Sequence, residues 1–204
     1  MNQAQIVYRH NTEPRKGLAA AGIFLIKAIM AIPHLIIVGA LSELALGAAY
    51  VGYWVVVFTG NLPGTFQDFA VWSLRWQTRT FGWYFGNEDG YPPFEMSADY
   101  SLDLEAPRNE SPSKGWAVAG ALFFPKLLAA IPHFIVLGIL VVITLVVTWF
   151  GFIITTVTGK LPVGIQDFAA GVLQWEARVL AWFYGLTDTY PPFTLQVEPT
   201  AQTQ

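Results

Sequence analysis

The chain contains no cysteine. Disulfides, thiolate metal centres and thiol nucleophiles are therefore excluded. Charge is scarce too: Asp, Glu, Lys and Arg make up 12% of the 204 residues, against about a quarter in a soluble domain. The net charge of −3 provides no basic surface for nucleic acid. No Gly-rich phosphate loop, His-Glu-x-x-His, nucleophile elbow or pair of close carboxylates occurs. The sequence thus predicts no catalytic residue, no cofactor and no metal centre. A cleavable signal is also not apparent, because the first 17 residues are polar and the apolar run after them is interrupted by Lys27.

What the chain has in excess is apolar surface. Hydrophobic residues account for 54%, and the mean hydropathy is +0.45. Residues 134–157 carry no charge, and residues 35–58 have Ser42 and Glu43 as their only strongly polar side chains. As helices, each stretch would be roughly 36 Å long, against a hydrocarbon core of about 30 Å. The composition predicts an all-α integral membrane protein.

The sequence also repeats itself. Residues 27–94 align on 126–193 without a gap, with 28 of 68 positions identical. Lys27, Pro33-His34, Thr59-Gly60, Leu62-Pro63, Gln67-Asp68-Phe69-Ala70, Trp76, Arg79, Trp83, Asp89 and Tyr91-Pro92-Pro93-Phe94 recur. They return as Lys126, Pro132-His133, Thr158-Gly159, Leu161-Pro162, Gln166-Asp167-Phe168-Ala169, Trp175, Arg178, Trp182, Asp188 and Tyr190-Pro191-Pro192-Phe193. A repeat of this kind fixes the unit of structure before any local assignment. Residues 1–98 form one unit and 99–204 the other, and together they predict a pseudo-twofold helical bundle.

Each unit opens with a short segment of β character, 4–9 and 100–105, read as strands outside the membrane. A first apolar helix, about 18–32 and 116–131, ends at Pro33-His34 and Pro132-His133, because the residue before proline avoids the α region. A long helix then covers about 35–58 and 134–157, and Gly-x-Leu-Pro stops it. A third helix, about 66–85 and 165–184, is rich in aromatics and carries a narrow stripe of Asp68, Arg75 and Arg79, matched by Asp167, Gln174 and Arg178. Such an amphipathic aromatic helix suits the membrane interface. The alternative is a third span with its charged stripe inward. The double prolines force an extended exit, and residues 194–197 read as a further strand. The tail beyond Glu198 reads as disordered.

If helices one and two form a hairpin, each repeat crosses twice and the copies are parallel. Three crossings would make the copies inverted. Lys and Arg cluster in the N-terminal tail and in the linker, at Arg9, Arg15, Lys16, Arg108 and Lys114. The positive-inside rule then puts both termini in the cytoplasm and favours four crossings in a multi-pass protein of the plasma (inner) membrane.

Glu43 is the sharpest anomaly, since its repeat mate is Val142 and an ionisable group in a span costs about 3 kcal/mol. In a hairpin turning at Pro33, Lys27 and Glu43 would lie at depths of roughly 9 and 14 Å, within reach of an ion pair. The functional reading is a proton- or cation-coupled site near the pseudo-twofold axis, and the remaining reading is exposure to solvent or to the interface. Lys126 either snorkels to the surface or shares Glu43 across the repeats. His34 and His133 either cap a helix start or, if the turns meet, bind a metal or sense pH. Asp68 with Arg178 and Asp167 with Arg79 are candidate inter-repeat pairs, the rival being contact of the arginines with lipid headgroups. Asp89 and Asp188 read as turn formers.

The pattern Pro-His-x-(aliphatic), Thr-Gly-x-x-Pro, Asp-Phe, Trp-x-x-Arg and Asp-x-Tyr-Pro-Pro-Phe resembles the bacterial membrane proteins grouped as domain of unknown function 4389. Both halves match. The resemblance implies a fused tandem of a unit that dimerises when single, and it carries no activity, substrate or site residue. The expected function is non-catalytic: a structural or accessory membrane protein that engages lipids, a larger membrane complex or further copies of itself. A small transporter or channel using Glu43 with Lys27 and Lys126 is the alternative.

Overall fold

The structure is a computed structural model that describes residues 3–95 and 98–197. The predicted tail beyond Glu198 lies outside the described residues. Chain order is β1 (Gln5–Val7), α1 (Lys16–Ile23), α2 (Ile26–Thr59), α3 (Gly64–Phe85), β2 (Asp103–Glu105), α4 (Lys114–Ala121), α5 (Phe124–Thr158) and α6 (Val163–Phe183). The second half repeats the element order of the first. Residues 194–197 form no strand.

The expected breaks at Pro33 and Pro132 do not occur. Helices α2 and α5, of 34 and 35 residues, run through both prolines. The chain breaks earlier, at Leu25 and Phe123, each with φ of 60°. The first helices are accordingly only eight residues long. An interior proline costs a helix about 3 kcal/mol through a lost N–H bond and a clash with the preceding turn. Here that cost is offset by burial along one stripe: Lys27, Ala31, His34, Val38, Leu41, Ala45 and Ala49 recur at three- and four-residue spacing and are all buried. A turn at Pro33 would split this stripe. No hairpin of two crossings forms, and the expected four-span core is replaced by two helices, α2 and α5, long and apolar enough to cross a membrane. Of their most apolar stretches only 28% and 22% is buried.

The halves interlock. The short helix of each repeat packs on the long helix of the other, α1 on α5 and α4 on α2. A Cβ on Gly22 would sit 2.4 Å from the Phe152 ring, and one on Gly120 would sit 2.4 Å from the Tyr53 ring. Only glycine lets these helices approach so closely. Strands β1 and β2 come one from each repeat and pair antiparallel, Ile6 opposite Leu104, with both side chains buried.

Helix α3 sits at the centre, packed against α2, α6 and β2 and more lightly against α5. At 100° per residue, Arg75, Arg79 and Gly82 fall within about 60° and face β2 and the segment leading into it. Phe69, Trp76 and Trp83 lie about 90° away on the α2 side. Gln77 points to α6. The ribbon and α2 therefore lie on different sides of α3, about 90° apart around it. The same residue positions give α6 the same arrangement, with Gln174 on β1 and Trp175 on α5.

Candidate functional site

The polar residues singled out by the sequence do not converge on one centre. They form two matching sets, one per repeat, and nearly every member has a bonding role inside the molecule.

Each buried lysine sits in an aromatic box built by both repeats. Lys27 Nζ lies 4.7 Å from the Trp83 ring centre and 5.0 Å from that of Phe152. Lys126 Nζ lies 4.9 Å from Trp182 and 4.3 Å from Tyr53, the repeat mate of Phe152, and donates to the Tyr53 hydroxyl at 2.6 Å. Cation–π attraction strengthens when the site is desolvated, and both lysines are almost fully buried. The Tyr53 hydroxyl in turn donates to the Phe183 carbonyl at the end of α6.

This overturns the expected Lys27–Glu43 ion pair. Without a turn at Pro33, both residues lie on one helix, sixteen residues or about 24 Å apart. Glu43 is exposed on the outer face of α2 and has no ion-pair partner among the described residues. Lys126 neither snorkels nor reaches Glu43, because Tyr53 holds it inside.

The histidines do not cap a helix start or meet each other. His34 Nδ1 accepts from Trp76 Nε1 at 3.1 Å, and His133 Nδ1 from Trp175 Nε1 at 3.0 Å. Phe94 stacks on His34 at 4.3 Å and Phe193 on His133 at 4.0 Å. Tyr91 and Tyr190 pack beside the same rings. Their hydroxyls donate to the carbonyls of Met30 (2.8 Å) and Ala129 (2.7 Å). These carbonyls lie in the helical turn that Pro33 or Pro132 loosens. The motif Tyr-Pro-Pro-Phe is thus a clamp: Pro92-Pro93 and Pro191-Pro192 hold the chain extended while the flanking rings grip the histidine and splint the helix.

The acid–arginine stripe also pairs differently. Asp68 binds Arg108 of the linker, and Asp167 accepts from Tyr8 and, at 2.7 Å, from His10 of the N-terminal arm. The expected Asp68–Arg178 and Asp167–Arg79 pairs are absent among the described residues. Arg75 and Arg79 both reach Asp103, at 3.1 and 3.2 Å, and Arg75 also donates to the Leu104 carbonyl. Arg178 donates to the carbonyls of Thr194 and Gln196. Gln174 receives the Ile6 amide at 2.6 Å and donates to the Ala4 carbonyl. The stripe therefore holds the ribbon and the chain exits, since Asp68 and Asp167 sit about 16 Å from Arg79 and Arg178 on their own helices and are bound by the linker and the arm instead. Burial would raise the Asp167 carboxyl, but hydrogen bonds from Tyr8 and His10 bring it below the usual range.

Other residues emerge only from the structure. Gln67 accepts from the Asn109 amide and donates to its carbonyl, and Gln166 does the same with Asn11, so each repeat grips the other's arm. Asp89 accepts from the Arg15 amide and Asp188 from the Ser113 amide, which fixes the starts of α1 and α4. Gln77 Nε2 donates to Glu176 Oε1 at 2.8 Å. A sequence signal for the arms existed. Asn11, Pro14, Lys16-Gly17 and Gly22 recur as Asn109, Pro112, Lys114-Gly115 and Gly120, offset by 98 rather than 99. One extra residue before Lys126 shifts the register, so a gapless alignment stops at Lys27.

The surface divides sharply. A groove of about 550 Å³ between α3 and the linker is lined by the charged Asp68, Arg75, Glu105 and Arg108 together with Val71, Trp72 and Ala106. On α2 and α5, Ile29, Ile36, Leu44, Phe58, Ile135, Val142 and Val157 stand exposed.

A family model described as a domain of unknown function (DUF4389) matches twice, at residues 23–95 and 121–194. The chain belongs to this family as a tandem of two copies. No curated protein and no solved structure matches it.

Proposed function

We propose that this tandem DUF4389 protein is a non-catalytic membrane protein, a structural or accessory component that engages lipids through α2 and α5. The observation that carries the reading is the contrast between the two faces of those helices. Their narrow buried stripes contain the lysines and histidines, and these are engaged by aromatic boxes and tryptophan donors. Their wide outer faces carry large apolar side chains at 60% exposure or more, among them Ile36, Leu44, Phe58, Val142 and Val157. Monomeric soluble proteins rarely expose contiguous apolar surface of this extent.

The two repeats are related by a pseudo-twofold axis. Support comes from contacts between repeat mates: Ile6 with Leu104, and Gln77 with Glu176. A residue that meets its own mate lies on the axis. The bacterial plasma membrane is the proposed location, with the arginine- and lysine-bearing arm and linker on the cytoplasmic side.

The test is purification from native membranes in mild detergent, followed by mass spectrometry of what remains bound. Co-purifying phospholipid or a stable membrane partner is the expected result. A lone protein that conducts ions in liposomes would replace the reading with a transporter or channel.

A further inference from the structure

We infer that α2 and α5 lie flat in one leaflet, roughly parallel to the membrane surface, with the β1–β2 ribbon on the water side. This orientation rests on the membrane reading above.

The argument starts from helix directions. Lys27, at the start of α2, touches Phe152 near the end of α5, and Lys126, at the start of α5, touches Tyr53 near the end of α2. The long helices are therefore antiparallel. An axis that relates two antiparallel mates runs perpendicular to them. The ribbon lies on that axis, through the Ile6–Leu104 pair. It consequently sits level with the helices' middles, packed on α3 and α6, and not beyond their ends.

Two orientations then have different consequences. If α2 and α5 stood upright, the ribbon would be at mid-depth in the bilayer. Asp103, Glu105, Arg108, Asp68 and Arg75 would face hydrocarbon, where ionised groups are strongly disfavoured. Laid flat, the same groups face water, and the apolar faces of both helices meet acyl chains. The charged groups around the ribbon then share a single leaflet surface.

Helix length points the same way. Thirty-four residues span about 51 Å, well beyond a hydrocarbon core of about 30 Å. Exposed apolar side chains continue along the whole length, from Ile29 to Phe58 and from Phe124 to Val157. An upright helix would leave many of them in water. Glu43 is also near the centre of α2. Upright, it would be as far from both surfaces as possible.

The absence of native cysteine makes the test direct. Spin labels are placed singly at Ile29→Cys, Ile36→Cys, Leu44→Cys, Val51→Cys and Phe58→Cys on the outer face of α2, and at Glu105→Cys on β2. The protein is reconstituted in vesicles of phosphatidylethanolamine and phosphatidylglycerol, and depth is read from relaxation by oxygen against a water-soluble nickel chelate. The flat orientation predicts α2 depths that agree within about 5 Å and a label at 105 open to nickel. A depth profile that deepens by about 15 Å at Leu44 and returns towards the surface, with the 105 label shielded, overturns the orientation and leaves the membrane reading standing. Failure of the unlabelled protein to associate with the vesicles overturns both.

Discussion

Gln77 and Glu176 occupy the same position in the two repeats and touch each other, amide to carboxylate, at 2.8 Å. The contact joins α3 to α6 at the centre of the molecule. Of the two mates, Gln77 supplies the donating amide and Glu176 the accepting acid.

Glu176 gives the protein a pH dependence. Burial pushes its carboxyl up to about 7, partly countered by the hydrogen bond from Gln77. An acid whose folded value is raised loses its proton more easily when the chain unfolds. Stability is therefore highest below the unfolded value, falls as pH rises through the window up to about 7, and then levels off. At 1.36 kcal/mol per unit the loss is at most about 3 kcal/mol. Denaturation of the detergent-solubilised protein between pH 5 and 8 should show this fall (), and Glu176→Gln should flatten it. A wild-type stability independent of pH would contradict the assignment.

The histidine clamps carry their own prediction. Trp76→Phe leaves the His34 Nδ1 acceptor buried without its donor, and Trp175→Phe does the same at His133. Each should destabilise by about 1–3 kcal/mol. Tyr91→Phe removes the bond to the Met30 carbonyl and should cost about 1 kcal/mol. If the tyrosine splints the proline-loosened turn, Pro33→Ala should reduce the cost of Tyr91→Phe. Additive effects in that double-mutant cycle would argue against the splint.

The two lysine boxes differ by one oxygen, since Tyr53 corresponds to Phe152. Tyr53→Phe should destabilise by about 1.5–3 kcal/mol, because Lys126 loses a charge-assisted hydrogen bond. The reciprocal change, Phe152→Tyr, offers Lys27 the same partner and is expected to raise the melting temperature. A fall on Phe152→Tyr would mean that the boxes are not equivalent.

Charge reversal separates the pairing seen from the pairing that the sequence suggested. Reversing Asp68 together with Arg178 should give no rescue over the single changes. Reversing Asp68 together with Arg108 should restore the small loss from either, within about 1 kcal/mol because both side chains are more than half exposed. Melting temperatures of the three single and two double variants decide it.

Much of the fold was legible in the sequence where period and composition act together. The third helix, expected at 66–85 and 165–184, is found at Gly64–Phe85 and Val163–Phe183, since Gly-x-Leu-Pro marks its start and a dense aromatic face its course. Both strands lie within the expected segments. The long helices are the exception, because Pro33 and Pro132 locally signal breaks that the folded chain does not make. Burial of the stripe from Lys27 to Val56 outweighs the cost of the one proline inside α2. The expected partner for Glu43 falls with those breaks, since pairing with Lys27 needs a turn there. The arm contacts stayed hidden for a simpler reason: one inserted residue puts Asn11 and Asn109 out of register with the rest. The aromatic boxes combine residues from both repeats, and no local pattern announces a contact between Lys27 and Phe152.

The account as a whole depends on the outer faces of α2 and α5 meeting lipid. The most direct measurement is flotation with phospholipid vesicles of the wild type and of an Ile36→Lys, Ile135→Lys double variant. Both positions are exposed, at 68% and 59%, so the fold should survive, and circular dichroism checks that it does. The account predicts that the wild type floats with the vesicles and that the variant shifts towards the aqueous fraction. A wild-type protein that stays monodisperse in detergent-free buffer and ignores the vesicles would contradict it.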